Sequence, residues 1–206
     1  LSGEIGDMTT VIRGVLPYIS ASTLQHAGKA EGEADAAGEA ALHDLALLFT
    51  DIRGFTAFSE GKSPQKVIKA LNECHELQAT AILENNGDVD NVVGDGIFAR
   101  FDGPDKELDA CRAAFAIRSA MAAMAEEQRR EADGGTATFL SVGIGINAGL
   151  VLTGPVGARE RRHFTAIGYR VNLASRLESA NKQYGTRTLV TDSVVRVAAR
   201  AFLFRE

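Results

Sequence analysis

An α+β domain on one antiparallel-containing sheet, with helices on one face and an added β arm, is the fold class this sequence predicts. Three observations carry that expectation. A continuous apolar run, Leu45-Ala46-Leu47-Leu48-Phe49-Thr50, stops abruptly at Asp51. Two long segments carry apolar residues at helical spacing. Between them, two short apolar stretches fold about Gly94-Asp95-Gly96. The resulting order is strand, helix, two strands, helix, strand, which is the split βαβ or ferredoxin-like arrangement.

Each element has a local cause. The run at Leu45 is unbroken, as expected of a central strand buried on both faces. Ser63-Pro64 opens a helix, because proline is tolerated in the first turn. Val67, Ile68, Leu71, Cys74 and Ile82 give that helix its apolar face, and Asn86-Gly87 ends it. Val89 to Phe101 reads as a tight hairpin with Asp95 at its tip. Pro104 begins a second long helix, with Leu108, Cys111, Phe115 and Ala122 on one stripe and Ala114, Ile117, Met121 and Met124 beside it. Asp133-Gly134-Gly135 breaks it, and Phe139 to Ala148 follows as a strand. Val151 to Ile167 reads as an extended arm with a charged middle, Arg159-Glu160-Arg161-Arg162. Val171 to Tyr184 is a helix closed by Gly185, burying Leu173, Leu177, Ala180 and Tyr184. A short strand at Leu189-Val190 and a helix over Ser193 to Ala199 complete the chain.

Ahead of this domain, which spans 45–206, residues 1–44 read as a connector. Ile5, Met8, Ile12 and Leu16 form an apolar helical stripe that suits either a packed N-terminal helix or a link from an upstream regulatory domain. Residues 26–42 are rich in Ala, Gly and Glu without periodicity and read as a linker. The chain begins at Leu1 and ends inside an apolar stretch at Glu206, as a piece of a longer protein would.

Composition narrows the function. The 206 residues are 45% hydrophobic and 24% charged, as in an ordinary globular domain. A net charge of −5, from 22 basic and 27 acidic residues, argues against a non-specific nucleic-acid binder. Two cysteines, Cys74 and Cys111, cannot build a disulfide framework; both lie on apolar helix faces and read as reduced core residues. His26, His43, His75 and His163 show no metal-ligand spacing. No apolar run reaches the length of a membrane span.

Two acids stand out. Asp51 and Asp95 each interrupt an apolar strand, where an unpaired carboxylate is costly. In a ferredoxin-like sheet the first strand neighbours the hairpin, so the two acids can meet at its rim. Paired carboxylates there suit Mg²⁺ and a phosphate-bearing substrate. On local sequence alone, Asp51 as a helix cap and Asp95 as a turn residue is the commoner outcome. Asn172 and Arg176 share a helix face at i, i+4, able to orient a sugar and meet phosphate charge. Such a pair is ordinarily a solvated face.

Four segments carry a resemblance. Phe49-Thr50-Asp51-Ile52-Arg53-Gly54-Phe55-Thr56 resembles the opening motif of the class III nucleotidyl cyclases, the catalytic domains of adenylate and guanylate cyclases. Val93-Gly94-Asp95-Gly96 is similar to their second metal motif. Gly154-Pro155-Val156-Gly157 and the charges behind it look like their dimerisation arm. Val171-Asn172-Leu173-Ala174-Ser175-Arg176-Leu177-Glu178 resembles their transition-state helix. The motifs occur in the family's order, from Leu45 to about Phe204. Residues 17–24 are also similar to the segment often found just before bacterial cyclase domains.

The resemblance implies the class III cyclase fold and the conversion of ATP to cyclic AMP and pyrophosphate for intracellular signalling. Asp51, Asp95 and the backbone carbonyl of Ile52 would hold two Mg²⁺ or Mn²⁺ ions per site. Asn172 would orient the ribose, and Arg176 would meet charge on the α-phosphate. The acids come from one protomer and the Asn/Arg pair from the other, so a homodimer with two shared sites is implied. A nucleotide substrate implies a cytoplasmic domain, whether or not the parent protein is membrane-anchored. Asn91 and Tyr169 stand at the purine-specifying positions. Adenylate cyclases usually carry Lys there, then Asp or Thr; guanylate cyclases carry Glu and Cys. A GTP-using or mixed-purine cyclase, or a catalytically degenerate dimerisation or nucleotide-sensing module, is therefore the alternative. The family's phosphate-binding Lys has no counterpart in this chain, and Lys182 does not match it.

Overall fold

The computed structural model describes residues 40–131, 140–158 and 161–205, with Arg13, Leu16, Ile19, Thr23 and Leu24. The expected N-terminal helix and most of the linker lie outside the described residues, as do the Asp133-Gly134-Gly135 break, Phe139 and Arg159.

The elements run β1 (Ala41–Arg53), α1 (Phe55–Ser59), α2 (Pro64–Glu84), β2 (Asp88–Val93), β3 (Gly96–Phe101), α3 (Lys106–Glu131), β4 (Ser141–Ala158), β5 (Arg161–Ile167), α4 (Tyr169–Tyr184), β6 (Thr188–Val190) and α5 (Asp192–Ala198). The sheet order is β2-β3-β1-β4-β5, with β6 added parallel to β4. The neighbours β2/β3, β3/β1 and β1/β4 are antiparallel, which is the ferredoxin-like order expected from the sequence.

Strand periodicity divides the core in two. Ala46, Leu48 and Ile52 face one side and pack with α2, α3 and α5 through Cys74, Ile82, Cys111, Ile117 and Val194. Leu45 and Leu47 face the other side, against Phe98, Val151, Ala166 and Ala174. The two helices of the split βαβ unit thus share one face as expected, while α4 covers the opposite one.

Several boundaries differ from the sequence reading, each for a tertiary reason. β1 starts at Ala41, inside the expected linker, because it pairs with β4 along its whole length, from Ala41↔Thr153 to Arg53↔Ser141. Asp51 therefore lies within the strand, and Gly54, in the left-handed region at φ 76°, makes the turn into the unforeseen α1. The expected strand to Ala148 and the first part of the arm are one continuous strand, β4. In α2, Ile68 is exposed. In α3, Leu108 and Cys111 of the expected stripe are buried with Ala114, Ile117 and Met121 of the adjacent one, while Phe115 is exposed. In α4 the buried positions are Ala174, Glu178 and Asn181, and Tyr184 is exposed. The helix is rotated from its expected face because Ala174 and Glu178 sit directly on Gly145 of β4.

Among the described residues, no helix is long and apolar enough to cross a membrane. Cys74 and Cys111 are free and buried, as expected. Burial pushes the Cys74 thiol up to about 11 and the Cys111 thiol up to about 12. Both should resist a disulfide reagent at pH 8 in the native protein. Titration with such a reagent should detect both thiols only after addition of denaturant.

Candidate active site

The end of β1 and the β2–β3 turn form one rim. Phe49 pairs with Phe98, and their rings stack at 4.5 Å. One residue on, the backbone N–H of Ile97 donates to Thr50 Oγ1 at 2.9 Å. Gly96 lies flat against Thr50: a Cβ there would stand 2.2 Å from the Thr50 carbonyl oxygen. Asp51 follows Thr50 on β1 and Asp95 precedes Gly96 in the β2–β3 turn, so each acid is one residue from this backbone contact. Backbone groups alternate along a strand. The Thr50 carbonyl points at β3, so the Ile52 carbonyl, two residues on, points the same way, toward the turn that holds Asp95.

Asp51 is not left bare. Its Oδ2 lies 3.4 Å from Arg53 Nη1 and 3.4 Å from Lys182 Nζ. Arg53 also pairs with Glu178, Nη2 to Oε1 at 2.6 Å, and donates to the Glu178 carbonyl at 3.0 Å. Burial raises the Glu178 carboxyl above its ordinary range, Arg53 lowers it, and the Asp51 charge raises it again. Behind the other acid lies His75 of α2. Burial pushes its pKa down, while the Asp95 carbonyl and charge pull it back up, and the net direction is downward. None of these partners was foreseen as such. Arg53 was legible in principle, since period two places it on the same strand face as Asp51. Glu178, Lys182 and His75 are brought in only by helix packing.

The donor set fits a hard divalent cation. It offers two carboxylates and a backbone carbonyl, all oxygen, and two side-chain cations already converge on one Asp51 oxygen. Among the described residues, no group of three or more His, Cys, Asp or Glu gathers. Further ligands would therefore have to be backbone, water or substrate oxygens, the sharing that Mg²⁺ favours.

Asn172 and Arg176 lie together on α4, both exposed. At 100° per residue, Arg176 sits about 160° around the helix from Glu178, which faces Asp51. The pair thus points away from the acids of its own chain. What fixes this direction is the seating of α4 on β4. A Cβ at Gly145 would lie 2.3 Å from both the Ala174 carbonyl oxygen and the Glu178 nitrogen, so helix and strand touch backbone to backbone. Two buried amides bolt the contact. Asn181 Nδ2 donates to the Ile144 carbonyl at 2.9 Å, and Asn147 Nδ2 to the Arg170 carbonyl at 2.9 Å. Asn147 Oδ1 accepts from Thr191 Oγ1 at 2.8 Å. Of the two positions expected from the resemblance to specify the purine, Asn91 is exposed on edge strand β2 and Tyr169, at the start of α4, is 71% exposed.

This rim-and-helix arrangement, on a ferredoxin-like sheet extended by an arm, is the class III nucleotidyl cyclase fold. The family model described as the adenylate and guanylate cyclase catalytic domain matches residues 39–205, and the chain belongs to that family. Curated relatives include an adenylate cyclase of Anabaena cylindrica, 38% identical over 77% of this chain and 32% of that protein. Adenylate cyclase 1 of Rhizobium meliloti is 37% identical over 74% of this chain and 23% of that protein. The chain thus spans a third or less of these relatives. Among solved structures, the guanylyl cyclase Cya2 has a TM-score of 0.65 at 31% identity, covering 79% of this chain and 80% of that one. A bacterial light-regulated adenylyl cyclase has a TM-score of 0.81 at 23% identity, over 95% of this chain and 56% of that one, a likeness of fold. The chain is therefore similar to cyclases of both nucleotides.

Gly145→Ala should lift α4 from the sheet. We expect it to destabilise the domain by about 1–3 kcal/mol and to lower the thermal midpoint by roughly 2–10 °C, read by circular dichroism. Gly143→Ala meets only the Arg53 side chain, at 2.0 Å from Nη2, and should cost less stability.

Proposed function

We propose that this chain is the catalytic part of a nucleotidyl cyclase that converts ATP to 3′,5′-cyclic AMP and pyrophosphate as a symmetric homodimer on the cytoplasmic side. The observation that carries the reading is the division of the site. Asp51 and Asp95 are neighbours at one rim, while Asn172 and Arg176 stand together on a helix face turned away from them. One chain alone does not surround a nucleotide with all four. Two copies related by a two-fold axis would place the acids of each beside the pair of the other.

In this reading Asp51, Asp95 and the Ile52 carbonyl hold the cations. A pair of Mg²⁺ or Mn²⁺ ions, when bound, supplies acidification of the ribose 3′-hydroxyl and neutralisation of phosphate charge. Asn172 orients the ribose by hydrogen bonding, so that the 3′-oxygen stands in line with the α-phosphorus. Arg176 presents its planar donors to the charge that grows on the α-phosphate. Positioning and charge stabilisation do most of the work, as in other phosphoryl transfers.

A second reading, turnover of GTP or of both purines, is favoured by Asn91 and Tyr169. An amide donates and accepts at once, so Asn91 can bond to either purine edge. Tyr169 can stack on a base of either kind.

Mixing variants tests the shared site. Asp51→Ala and Arg176→Ala should each abolish cyclic product from ATP and Mn²⁺. Equimolar mixing should restore about a quarter of the unsubstituted activity, because half the dimers are mixed and each carries one intact site. No recovery in verified mixed dimers would exclude sites shared between protomers. Running the same chromatographic assay with GTP decides between the two readings of the substrate.

A further inference from the structure

A cavity of about 370 Å³ lies between the C-terminal half of α3, the residues that open β4 and the turn from α4 into β6. Its cause is local. Arg118, Ala122, Ala125 and Arg129 recur at helical spacing and share one face of α3. The two alanines stand where longer side chains would reach the sheet, and so leave a gap. Met121, Leu140 and Val142, each 2% exposed, make an apolar floor. The volume falls at the small end of ligand sites, roughly 300–1,000 Å³. The cavity is separate from the rim. Val142 and its register partner Ile52 belong to the core under α2 and α3, whereas Asp51 and Arg53 turn to Lys182 and Glu178 of α4 on the other face of the sheet.

The charge of this cavity is not balanced. Arg118, Arg129 and Arg187 line it against one acid, Glu126. Glu126 is already engaged, by Arg129 at 2.5 Å and by Arg130 at 3.5 Å. Among the described residues, the guanidinium groups of Arg118 and Arg187 have no carboxylate partner. Arg187 is anchored by its backbone, whose carbonyl accepts from the Ile144 N–H at 2.9 Å. Planar guanidinium donors meet phosphate oxygens two at a time. Two positive charges in excess match a phosphate monoester, which carries about −1.5 to −2 at neutral pH, better than a carboxylate.

We propose that this cavity is a second binding site, for a small organic phosphate, with the phosphate on Arg118 and Arg187 and the apolar part over Met121, Leu140 and Val142 beside the two alanines. The site stands on these residues alone and does not depend on the cyclase reading of the rim.

The test is calorimetric titration of the full chain with phenyl phosphate in metal-free buffer, so that no divalent ion can bridge the phosphate to Asp51. We expect one molecule per chain with a Kd below about 1 mM. Inorganic phosphate, which lacks the ring, should bind at least about 5-fold more weakly. Arg118→Gln and Arg187→Gln should each weaken phenyl phosphate by about 10-fold. Arg112→Gln removes the same charge from α3 at a residue paired with Asp109, outside the cavity, and should stay within about 2-fold. Ala125→Leu fills the space without touching a charge, and should abolish binding while keeping the helix. If it does not fold, as judged by circular dichroism, Ala122→Leu takes its place. Asp51→Ala and Arg176→Ala should leave the affinity within about 2-fold. Absence of saturable binding, affinity untouched by either Arg118→Gln or the leucine variant, or equal affinity for inorganic phosphate overturns the organic-phosphate site. Binding that is lost in Arg176→Ala places the ligand at the rim instead and overturns it as well.

Discussion

The direct contact of α4 with β4 at Gly145 governs the geometry of everything near the rim. With no side chain between them at Gly145, the helix rests on the strand backbone, and two buried amides fix its rotation alongside the apolar contact of Ala174. Removing such an amide would leave a buried carbonyl unsatisfied, at a cost of about 1–3 kcal/mol. A greasy interface tolerates rotation of a helix by tens of degrees; a hydrogen-bonded one does not. That rigidity directs Glu178 and Lys182 inward to Asp51 and Asn172 and Arg176 outward.

Charge at the rim follows from the same contact. Asp51 and Glu178 are two acids held close together, and Arg53 lies between them, flush against Gly143. Lys182 completes the group from the exposed side. Its own pair with Asp51 is worth little, because its side chain is 64% exposed and water screens it. Arg53 is the more buried cation and bonds both the Glu178 carboxylate and its carbonyl. The local field thus already favours positive charge beside Asp51. A dication entering there would meet hard oxygens, and would displace the exposed Lys182 more readily than Arg53.

The second organising feature is the crossing of β5 over the sheet. It buries Asp90 of the edge strand β2 and closes the smaller core around Leu45, Leu47, Phe98, Val151 and Ala166. Asn91 on edge strand β2 and Tyr169 at the head of α4 are both exposed, and the ladders of one continuous sheet join β2 to β5.

The order of elements was legible because local sequence decides it. An unbroken apolar run, two helical stripes, a Gly-Asp-Gly turn and the proline and glycine punctuation each act over a few residues, and the family motifs are contiguous strings. The meeting of the end of β1 with the β2–β3 turn also followed, since strand order constrains it. What local sequence could not supply was anything set by contact across the fold. It missed the start of β1 at Ala41, which pairing with distant β4 extends, and the buried face of α4, where small residues and amides replace the apolar pattern that periodicity detects. It missed the partners of Asp51 on α4 and the burial of Asp90 beneath β5. Periodicity and punctuation are properties of one segment and can be read along the chain. Burial, ion pairing and helix rotation are properties of two segments, and they exist only once the sheet has brought those segments together.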